Sequence, residues 1–311
     1  MKEPIVYGTP VSQKFAENLA EELGVELGHI EHRIFSDGEH EIEILDLPRG
    51  RPTIIVGGTP SPFENLLHFC MLAHTAWRNG ATSIVGVIPH FGYTRQDKPK
   101  PDHPGRSVGM AVCGRMLSRF PIDWLFIMDL HNSATGSMLK EMRRQELYAS
   151  EVFLPIIREF AKESTIVVSP DVGRFNLVND IYRSKLGISA VTCYKHRKDE
   201  GGIEIYGVLG NVAKKDVILI DDIISTGSTL LGAVSALREA GAEKIIAFAT
   251  HAVLSGNAKV DLPQSAISEI FVTDTMFHED LPRITKMCQP YFKVISVIPL
   301  FAKRIAEICG L

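Results

Sequence analysis

The sequence predicts an α/β protein with mostly parallel sheets. Short β-branched runs alternate with longer segments of helical period along most of the 311 residues, as they do where parallel strands are joined by crossover helices. The composition, 45% hydrophobic and 23% charged, is that of a globular chain long enough to bury a large core. Together these observations exclude disordered and fibrous proteins.

Each element of the first half follows from its own local pattern. Glu41–Leu45 alternates charged and apolar residues with period two, which predicts a half-exposed strand. Asp97–Gly105 contains three Pro and several charges, which predicts a surface loop. The remaining segments are, in order, the strand Thr53–Val56, the helix Phe63–Arg78, the strand Ser83–Ile88, the helix Val108–Phe120 and the strand Asp123–Asp129.

The second half repeats the alternation of strands and helices. Gly202–Val208 has period two and is predicted to be a half-exposed strand or hairpin arm. The other segments are, in order, the strand Thr165–Ser169, the helix Phe175–Leu186, the strand Ile188–Cys193, the strand Asp216–Ile220 and the helix Thr229–Ala240.

Two α/β domains are expected from the length of the chain. The first is predicted to cover residues 1–145 and the second residues 146–298, with the polar stretch Lys140–Ser150 at their junction. The C-terminal helix 299–311 is expected to return to the first domain. Each domain is predicted to contain a mostly parallel sheet flanked by helices.

Charge and cysteine usage narrow the classes of function. The net charge of −4 argues against a general nucleic-acid binder. The longest apolar runs are far below the ~18 residues of a membrane span, and the N-terminus lacks a signal-peptide core, so no membrane partner and a cytoplasmic location are expected. The five Cys are widely spaced and apolar in context, which predicts buried reduced thiols and no zinc or disulfide framework: Cys70, Cys113, Cys193, Cys288 and Cys309.

The most informative segment is Asp216–Ser228, with the sequence DVILIDDIISTGS. An apolar strand leads into Asp221 and Asp222, and then into a turn of small and hydroxyl residues that opens a helix. Backbone N–H groups at such a turn converge on an anion, which predicts a phosphate site. The two acids suit ribose hydroxyls or a metal-bound substrate. A capped helix with two exposed acids is the structural alternative.

This segment resembles the phosphoribosyl-binding fingerprint of phosphoribosyltransferase-type folds, with Ser228 in place of the usual second Gly. Four further stretches resemble, in order and spacing, the motifs of the ribose-phosphate diphosphokinase family. They are FSDGE at Phe35–Glu39, HFGYTRQD at His90–Asp97, DLH at Asp129–His131 and SPDVG at Ser169–Gly173. The resemblance spans nearly the whole chain and implies two domains of the phosphoribosyltransferase type.

The first two stretches are expected to bind ATP. Phe35 can stack on a base, while nearby carboxylates accept hydrogen bonds from an amino group or a ribose hydroxyl. Arg95 offers a bidentate cation for phosphate. For Phe35–Glu39 alone, a surface turn is the better interpretation, and for the second stretch alone a solvated loop is an equally valid one. The resemblance implies ATP-binding roles for Phe35, Asp37, Glu39, Arg95, Gln96 and Asp97.

The resemblance also implies a Mg²⁺ site and a mobile catalytic loop. His131, supported by Asp129, and Asp171 are the implied metal ligands, and the turn at Asp171 is implied to receive pyrophosphate. Arg174 follows this turn and could contact phosphate or partly close the pocket. Lys195 and Arg197, in a polar stretch expected to be flexible, match the pair that the family places over the reacting phosphates.

These assignments imply transfer of the diphosphoryl group of ATP to the 1-hydroxyl of ribose 5-phosphate, with AMP released. The 5-phosphate is expected on Ser225, Thr226, Gly227, Ser228 and Thr229, and the ribose hydroxyls on Asp221 and Asp222. ATP and ribose 5-phosphate are the expected partners, and the resemblance implies a homo-oligomer. A phosphoribosyltransferase that consumes the product and a non-catalytic regulatory subunit remain the alternatives. The sequence leaves the donor preference and control by phosphate or ADP open.

Overall fold

The computed structural model describes residues 2–197, 204–278 and 291–310. The chain divides into two compact units. The first comprises Met1–Tyr148, Thr275–Phe277 and Val297–Leu311, and the second comprises Ala149–Asp274 and His278–Ser296. Each unit contains its own sheet and its own core.

Within its described part, the first unit has a sheet of six strands in the order β2-β1-β5-β6-β7-β8. Every neighbouring pair in this sheet is parallel, which confirms the predicted fold class. A separate antiparallel pair, β3 and β4, forms a hairpin. The strands are β1 (Ile5–Gly8), β2 (Glu26–Leu27), β3 (Ile30–Ile34), β4 (His40–Ile44), β5 (Pro52–Val56), β6 (Ser83–Ile88), β7 (Trp124–Met128) and β8 (Arg144–Leu147).

The helices of the first unit bury one apolar face each. On α2, Leu66, Phe69, Cys70 and Ala73 recur at helical spacing and are all buried, because residues three and four apart share a face. The C-terminal helix α9 packs on α1, where the rings of Phe15 and Phe301 meet edge to face at 5.4 Å. The helices are α1 (Gln13–Leu23), α2 (Glu64–Arg78), α3 (Gly109–Leu117), the single turn α4 (Ser133–Gly136) and α9 (Ile298–Cys309).

In the second unit, the described strands form a sheet in the order β11-β10-β9-β12-β13-β14-β15. The pairs from β10 to β15 are parallel, and β11 joins the edge in antiparallel pairing. The core lies between this sheet and its helices. The strands are β9 (Ile166–Ser169), β10 (Ala190–Arg197), β11 (Glu204–Leu209), β12 (Val217–Ile224), β13 (Ile245–Ala252), β14 (Glu269–Thr273) and β15 (Tyr291–Ile295).

Most helices of the second unit connect successive parallel strands, whereas Ser150–Phe160 precedes its first strand. The helix predicted at Phe175–Leu186 is observed with those bounds and ends at Gly187, whose φ of 68° is readily adopted by glycine. The helix that follows the acidic pair begins at Ser228. The helices are α5 (Ser150–Phe160), α6 (Phe175–Leu186), α7 (Ser228–Glu239) and the single turn α8 (Ala258–Asp261).

Two predicted strands were too short. The strand predicted at Asp216–Ile220 continues through both acids to Ile224, because β13 extends beside it and pairs with Asp221 and Ile223. The strand predicted at Ile188–Cys193 continues to Arg197, because β11 supplies an antiparallel partner as far as Glu204. The basic residues at this end of β10 are compatible with a strand, because β10 lies next to the edge strand β11 and charged residues are common near sheet edges.

The predicted burial of the cysteines is confirmed for the core residues. Cys70, Cys113 and Cys193 are free and buried, and Cys309 is free and half-buried. Burial raises the pKa of the Cys70 thiol to about 12 and that of Cys113 to about 11. Cys288 lies outside the described residues.

Among the described residues, no helix is long and apolar enough to cross a membrane.

Candidate active site

The centre of the site in the second unit is the acidic pair Asp221 and Asp222. Both side chains are buried within β12, and the Asp222 N–H donates a hydrogen bond of 2.8 Å to the Asp221 carboxylate. Burial and the neighbouring charge of Asp222 raise the pKa of Asp221 well above its usual range. The capped helix with exposed acids is therefore the wrong interpretation, because acids on the surface would not be buried.

Arg174 provides the counter-charge to this pair. Its Nη1 atom lies 2.9 Å from Oδ2 of Asp222, and the two side chains are only 10% and 3% exposed. From the sequence, two roles were open for Arg174: a contact to phosphate, or partial closure of the pocket. The structure instead places its guanidinium against a carboxylate, where it offsets part of the cost of burying that charge.

The turn after β12 has the geometry of an anion cradle. Gly227 has a φ of 79°, which favours glycine, and its carbonyl accepts from Leu231 in the first turn of α7. The hydroxyls of Thr226 and Ser228 are 3.1 Å apart at the start of the helix. Because the N-terminus of a helix carries partial positive charge and outward N–H groups, the turn of residues 225–229 is suited to phosphate.

Ser255, in a neighbouring loop, contacts this turn, and sequence reasoning missed it. Its hydroxyl lies 3.2 Å from that of Ser225, and its backbone N–H donates to the Ser225 carbonyl at 3.0 Å. The signal was a Ser-Gly-Asn loop that begins three residues after the end of the apolar strand β13, a strand-to-small-residue pattern like that after the acidic pair. Two neighbouring parallel strands thus contribute hydroxyls at their carboxyl ends.

Asp171 lies at the carboxyl end of β9, as predicted. Its side chain accepts a hydrogen bond of 3.1 Å from the Arg174 N–H, and its carbonyl accepts one of 2.7 Å from the Ser169 hydroxyl. These bonds fix the turn and keep the half-buried carboxyl group at the edge of the sheet where β12 also ends.

Lys195 lies on β10 and is exposed, with its Nζ atom 5.8 Å from the centre of the Tyr206 ring on β11. A cation over an aromatic face at this distance is weakly attracted to it. The backbone of Arg197 ends β10, opposite Glu204. The side chain of Arg197 and the residues that follow it, 198–203, lie outside the described residues.

In the first unit, Phe35–Glu39 forms the turn of the β3–β4 hairpin. Phe35 N–H donates to the Glu39 carbonyl at 2.8 Å, and Glu39 N–H donates to the Asp37 carboxylate at 3.1 Å. Gly38 has a φ of 91°, which the tight turn requires. The Phe35 side chain is 49% exposed, and such an aromatic surface at a rigid turn can stack on a base.

Arg95, Gln96 and Asp97 follow β6 in a second turn. Arg95 and Gln96 are exposed, whereas Asp97 is buried. The Gln96 carbonyl accepts a hydrogen bond of 3.2 Å from Met110 on α3, which holds the turn near the helix start. The predicted surface loop is therefore confirmed, with its first residue turned inward.

His131 and Asp129 follow β7, and the structure adds Glu146 from the neighbouring strand β8. The Asp129 N–H donates to the Leu147 carbonyl at 2.9 Å, and the Leu130 N–H donates to the Glu146 carboxylate at 3.2 Å. Burial raises the pKa of Glu146, and the charge of Asp129 adds to this shift. Sequence reasoning missed Glu146, although its position on a short polar strand beside DLH was the available signal.

Each unit thus collects its predicted residues at the carboxyl edge of its own sheet, apart from the hairpin turn of residues 35–39. That edge is where open α/β sheets bind ligands. A carboxylate-rich edge in the first unit and a phosphate cradle in the second suit a divalent cation and a phosphorylated sugar.

Two models of protein families match parts of the chain. Residues 5–120 match the model of the N-terminal domain of ribose phosphate pyrophosphokinase. Residues 185–310 match that of the phosphoribosyl synthetase-associated domain.

Similar full-length proteins are also found. The chain is 34% identical to a ribose-phosphate pyrophosphokinase of Porphyromonas gingivalis, across 98% of this chain and 94% of the relative. It is 32% identical to the Campylobacter jejuni protein of the same name, across 97% and 95%. The crystal structure of phosphoribosylpyrophosphate synthetase from Mycobacterium smegmatis superposes with a TM-score of 0.89 at 28% identity, covering 99% of both chains.

Proposed function

The chain belongs to the ribose-phosphate pyrophosphokinase family, and from that premise we propose how its residues carry out the reaction. It is an enzyme that transfers the β,γ-diphosphoryl group of ATP to the 1-hydroxyl of ribose 5-phosphate, giving 5-phosphoribosyl 1-diphosphate and AMP. The observation that carries the residue assignment is the buried acidic pair leading into an anion cradle.

Ribose 5-phosphate binds to the second unit. Its phosphate accepts hydrogen bonds from the N–H groups and hydroxyls of residues 225–229, with Ser255 at the side of the turn. Asp221 and Asp222 bind the ribose hydroxyls. Arg174 holds the Asp222 carboxylate in a fixed orientation, so that it accepts from a hydroxyl without first rearranging.

ATP binds to the first unit. Phe35 stacks on the base, Asp37 and Glu39 accept from its amino group or ribose, and Arg95 and Gln96 contact the phosphates. Asp97, which is buried, supports this turn from inside.

The residues present fit Mg²⁺. Mg²⁺ prefers oxygen ligands and keeps several waters, and the half-buried Asp171 supplies a carboxylate at a sheet edge. His131 is an unusual ligand for this ion, but Asp129 precedes it by two residues and the Glu146 carboxylate accepts from Leu130 N–H, and carboxylates suit Mg²⁺. We assign His131 as a Mg²⁺ ligand of the first unit and Asp171 as a Mg²⁺ ligand of the second; Mg²⁺ bound there would neutralise charge on phosphate oxygens.

Little covalent chemistry is left to the protein. The sugar 1-hydroxyl attacks the β-phosphorus in line with the departing AMP oxygen, so the enzyme positions reactants and neutralises charge. Lys195 and Arg197 neutralise the charge that develops on the transferred group and on AMP. Each contributes about 3–4 kcal/mol of transition-state stabilisation, by analogy with other charge-stabilising donors.

The remaining partner assignments follow the family resemblance. We propose a homo-oligomer in the cytoplasm that binds ATP and ribose 5-phosphate, and neither nucleic acid nor membrane. The net charge of −4 supports the exclusion of nucleic acid.

The test is ³¹P NMR of the purified protein with ATP, Mg²⁺ and ribose 5-phosphate, each omitted in turn. We expect AMP and the sugar 1-diphosphate in equal amounts only when all three are present. Asp222→Asn should raise the KM for ribose 5-phosphate. Asp216→Asn, a change six positions earlier at a residue paired with Lys162, should leave it unaltered.

The alternatives predict different spectra. A phosphoribosyltransferase would form a nucleotide from the sugar diphosphate and a free base. A regulatory subunit would bind both substrates without turnover, and that result would refute the catalytic assignment.

A further inference from the structure

Three histidines of the first unit meet outside the site described above. His32 lies on β3, His40 on β4 and His68 on α2. Their ring nitrogens lie within 4.8 Å of one another: His40 Nδ1 is 3.0 Å from His32 Nε2 and 2.7 Å from His68 Nε2. We propose that this histidine cluster is a binding site for a transition-metal cation of the Zn²⁺ type.

The local structure brings the three rings together. In the hairpin register, His32 lies opposite Ile42 and His40 opposite Ile34, so the two histidines share one face. The same face carries Ile42 into the core, and β4 packs against α2. His68 points from α2 toward this face and is only 4% exposed.

The distances fit a metal better than they fit hydrogen bonding alone. A neutral imidazole nitrogen carries either one proton or one lone pair. His40 Nδ1, close to two other ring nitrogens, therefore cannot make a normal linear hydrogen bond to both. With Zn–N distances of 2.0–2.1 Å, the nitrogens of a tetrahedral site are about 3.3 Å apart, so small shifts of the observed rings would complete it.

Burial disfavours the charged form of two of the three rings. Burial lowers the pKa of His68 to about 4, and burial also lowers that of His32. Both shifts favour the deprotonated ring, which is also the form that binds a metal.

The donor set also selects the ion. Three imidazoles with an open fourth position suit Zn²⁺, Co²⁺, Ni²⁺ or Cu²⁺, whereas Mg²⁺ and Ca²⁺ prefer oxygen. His68 Nδ1 finds no hydrogen-bond partner among the described residues, so this ligand lacks the outer contact that usually strengthens a histidine site by about 10–100-fold. The titration should therefore cover micromolar metal concentrations.

The experiment uses the tag-free full chain, stripped with a chelator and kept in millimolar Mg²⁺ so that oxygen-ligand sites are filled. Co²⁺ is added while visible absorption is recorded, because tetrahedral Co²⁺ absorbs far more strongly than octahedral Co²⁺. We expect one strongly absorbing Co²⁺ per chain, displaced by Zn²⁺. Weak octahedral absorption would overturn the proposal.

His32→Gln is the main variant, because His32 is half-buried and its replacement leaves α2 intact. We expect it to weaken Co²⁺ binding about 100-fold or more. The matched control is His74→Gln, which changes an exposed histidine of the same helix. Binding unaffected by His32→Gln, or weakened equally by both changes, would refute the assignment.

A measurement on the unaltered protein covers the case in which the variant does not fold. Zn²⁺ should protect His32 from modification by diethyl pyrocarbonate, mapped by mass spectrometry, while His74 stays reactive. Zn²⁺ should also raise the Tm. Equal reactivity of His32 with and without Zn²⁺ would refute the site.

Discussion

Removing the charge of Arg174 should destabilise the second unit strongly. Arg174→Met keeps most of the side-chain length but leaves the buried Asp222 carboxylate without the guanidinium 2.9 Å away. Breaking a buried ion pair by removing one partner costs about 3–5 kcal/mol, because the remaining charge stays out of water.

An exposed pair of almost equal length provides the comparison. Lys162 and Asp216 are 2.8 Å apart, but the lysine side chain is 70% exposed. Exposed pairs contribute about 0–1 kcal/mol, so Lys162→Met should have little effect. Since the two distances are nearly the same, the difference in cost comes from burial.

Thiol labelling under native conditions reports the two units separately. Cys193 is buried in the core of the second unit and Cys70 in that of the first, so each reacts only when its unit opens. Arg174→Met should speed labelling of Cys193 by about 10²–10³·⁵, since 1.4 kcal/mol is a factor of ten. Lys162→Met should change it by about fivefold at most. Peptide mapping assigns each rate.

A rate for Cys193 that rises less than tenfold in Arg174→Met would refute the argument. It would mean that the Asp222 carboxylate finds water or another cation when Arg174 is replaced. The double change Arg174→Met with Asp222→Leu removes both charges and should restore most of the stability.

Three further predictions concern turnover, packing and pH. Lys195→Ala and Arg197→Ala should each lower kcat by about 10²–10³ with a smaller effect on ATP affinity. Steady-state kinetics and calorimetry would measure the two effects. Unchanged turnover would contradict the role of these residues in neutralising transition-state charge. Phe301→Ala should destabilise the first unit by about 3–5 kcal/mol, because the ring is fully buried against α1. Denaturant unfolding and Cys70 labelling would measure this loss. A loss of about 1 kcal/mol or less would argue against the packing. Because the pKa of Asp221 is raised on folding, the folded state binds more protons, and the free energy of unfolding falls as pH rises above about 4. Asp221→Asn should remove this slope, which is at most about 1.4 kcal/mol per pH unit. An unchanged slope in urea unfolding between pH 5 and 7 would count against the prediction.

Local pattern was sufficient for the elements with a clear period. Ser83–Ile88 and Phe175–Leu186 were predicted with the bounds observed, because each has an apolar pattern and a clear end signal. The strand through Asp221 was predicted too short, since its length depends on the register of β13, which single-strand periodicity does not contain.

Apart from the hairpin turn of residues 35–39, the predicted site residues lie at sheet edges for the same reason, since a polar residue after an apolar strand lies at its carboxyl end. Long-range partners were not predictable. The pairing of Arg174 with Asp222 joins residues 48 positions apart in the chain, and the histidine cluster joins positions 32 and 68. Only the tertiary fold brings such groups together.

The return of α9 to the first unit affects how the chain is made. The last helix of that unit is synthesised after the entire second unit, so the side of α1 around Phe15 lacks its helical partner until then, although α1 can already pack on β1. The second unit can complete its sheet while the first is still unfinished on the ribosome. We expect Phe15 to be accessible to chaperones during that interval, and the first unit to become resistant to proteases after the second.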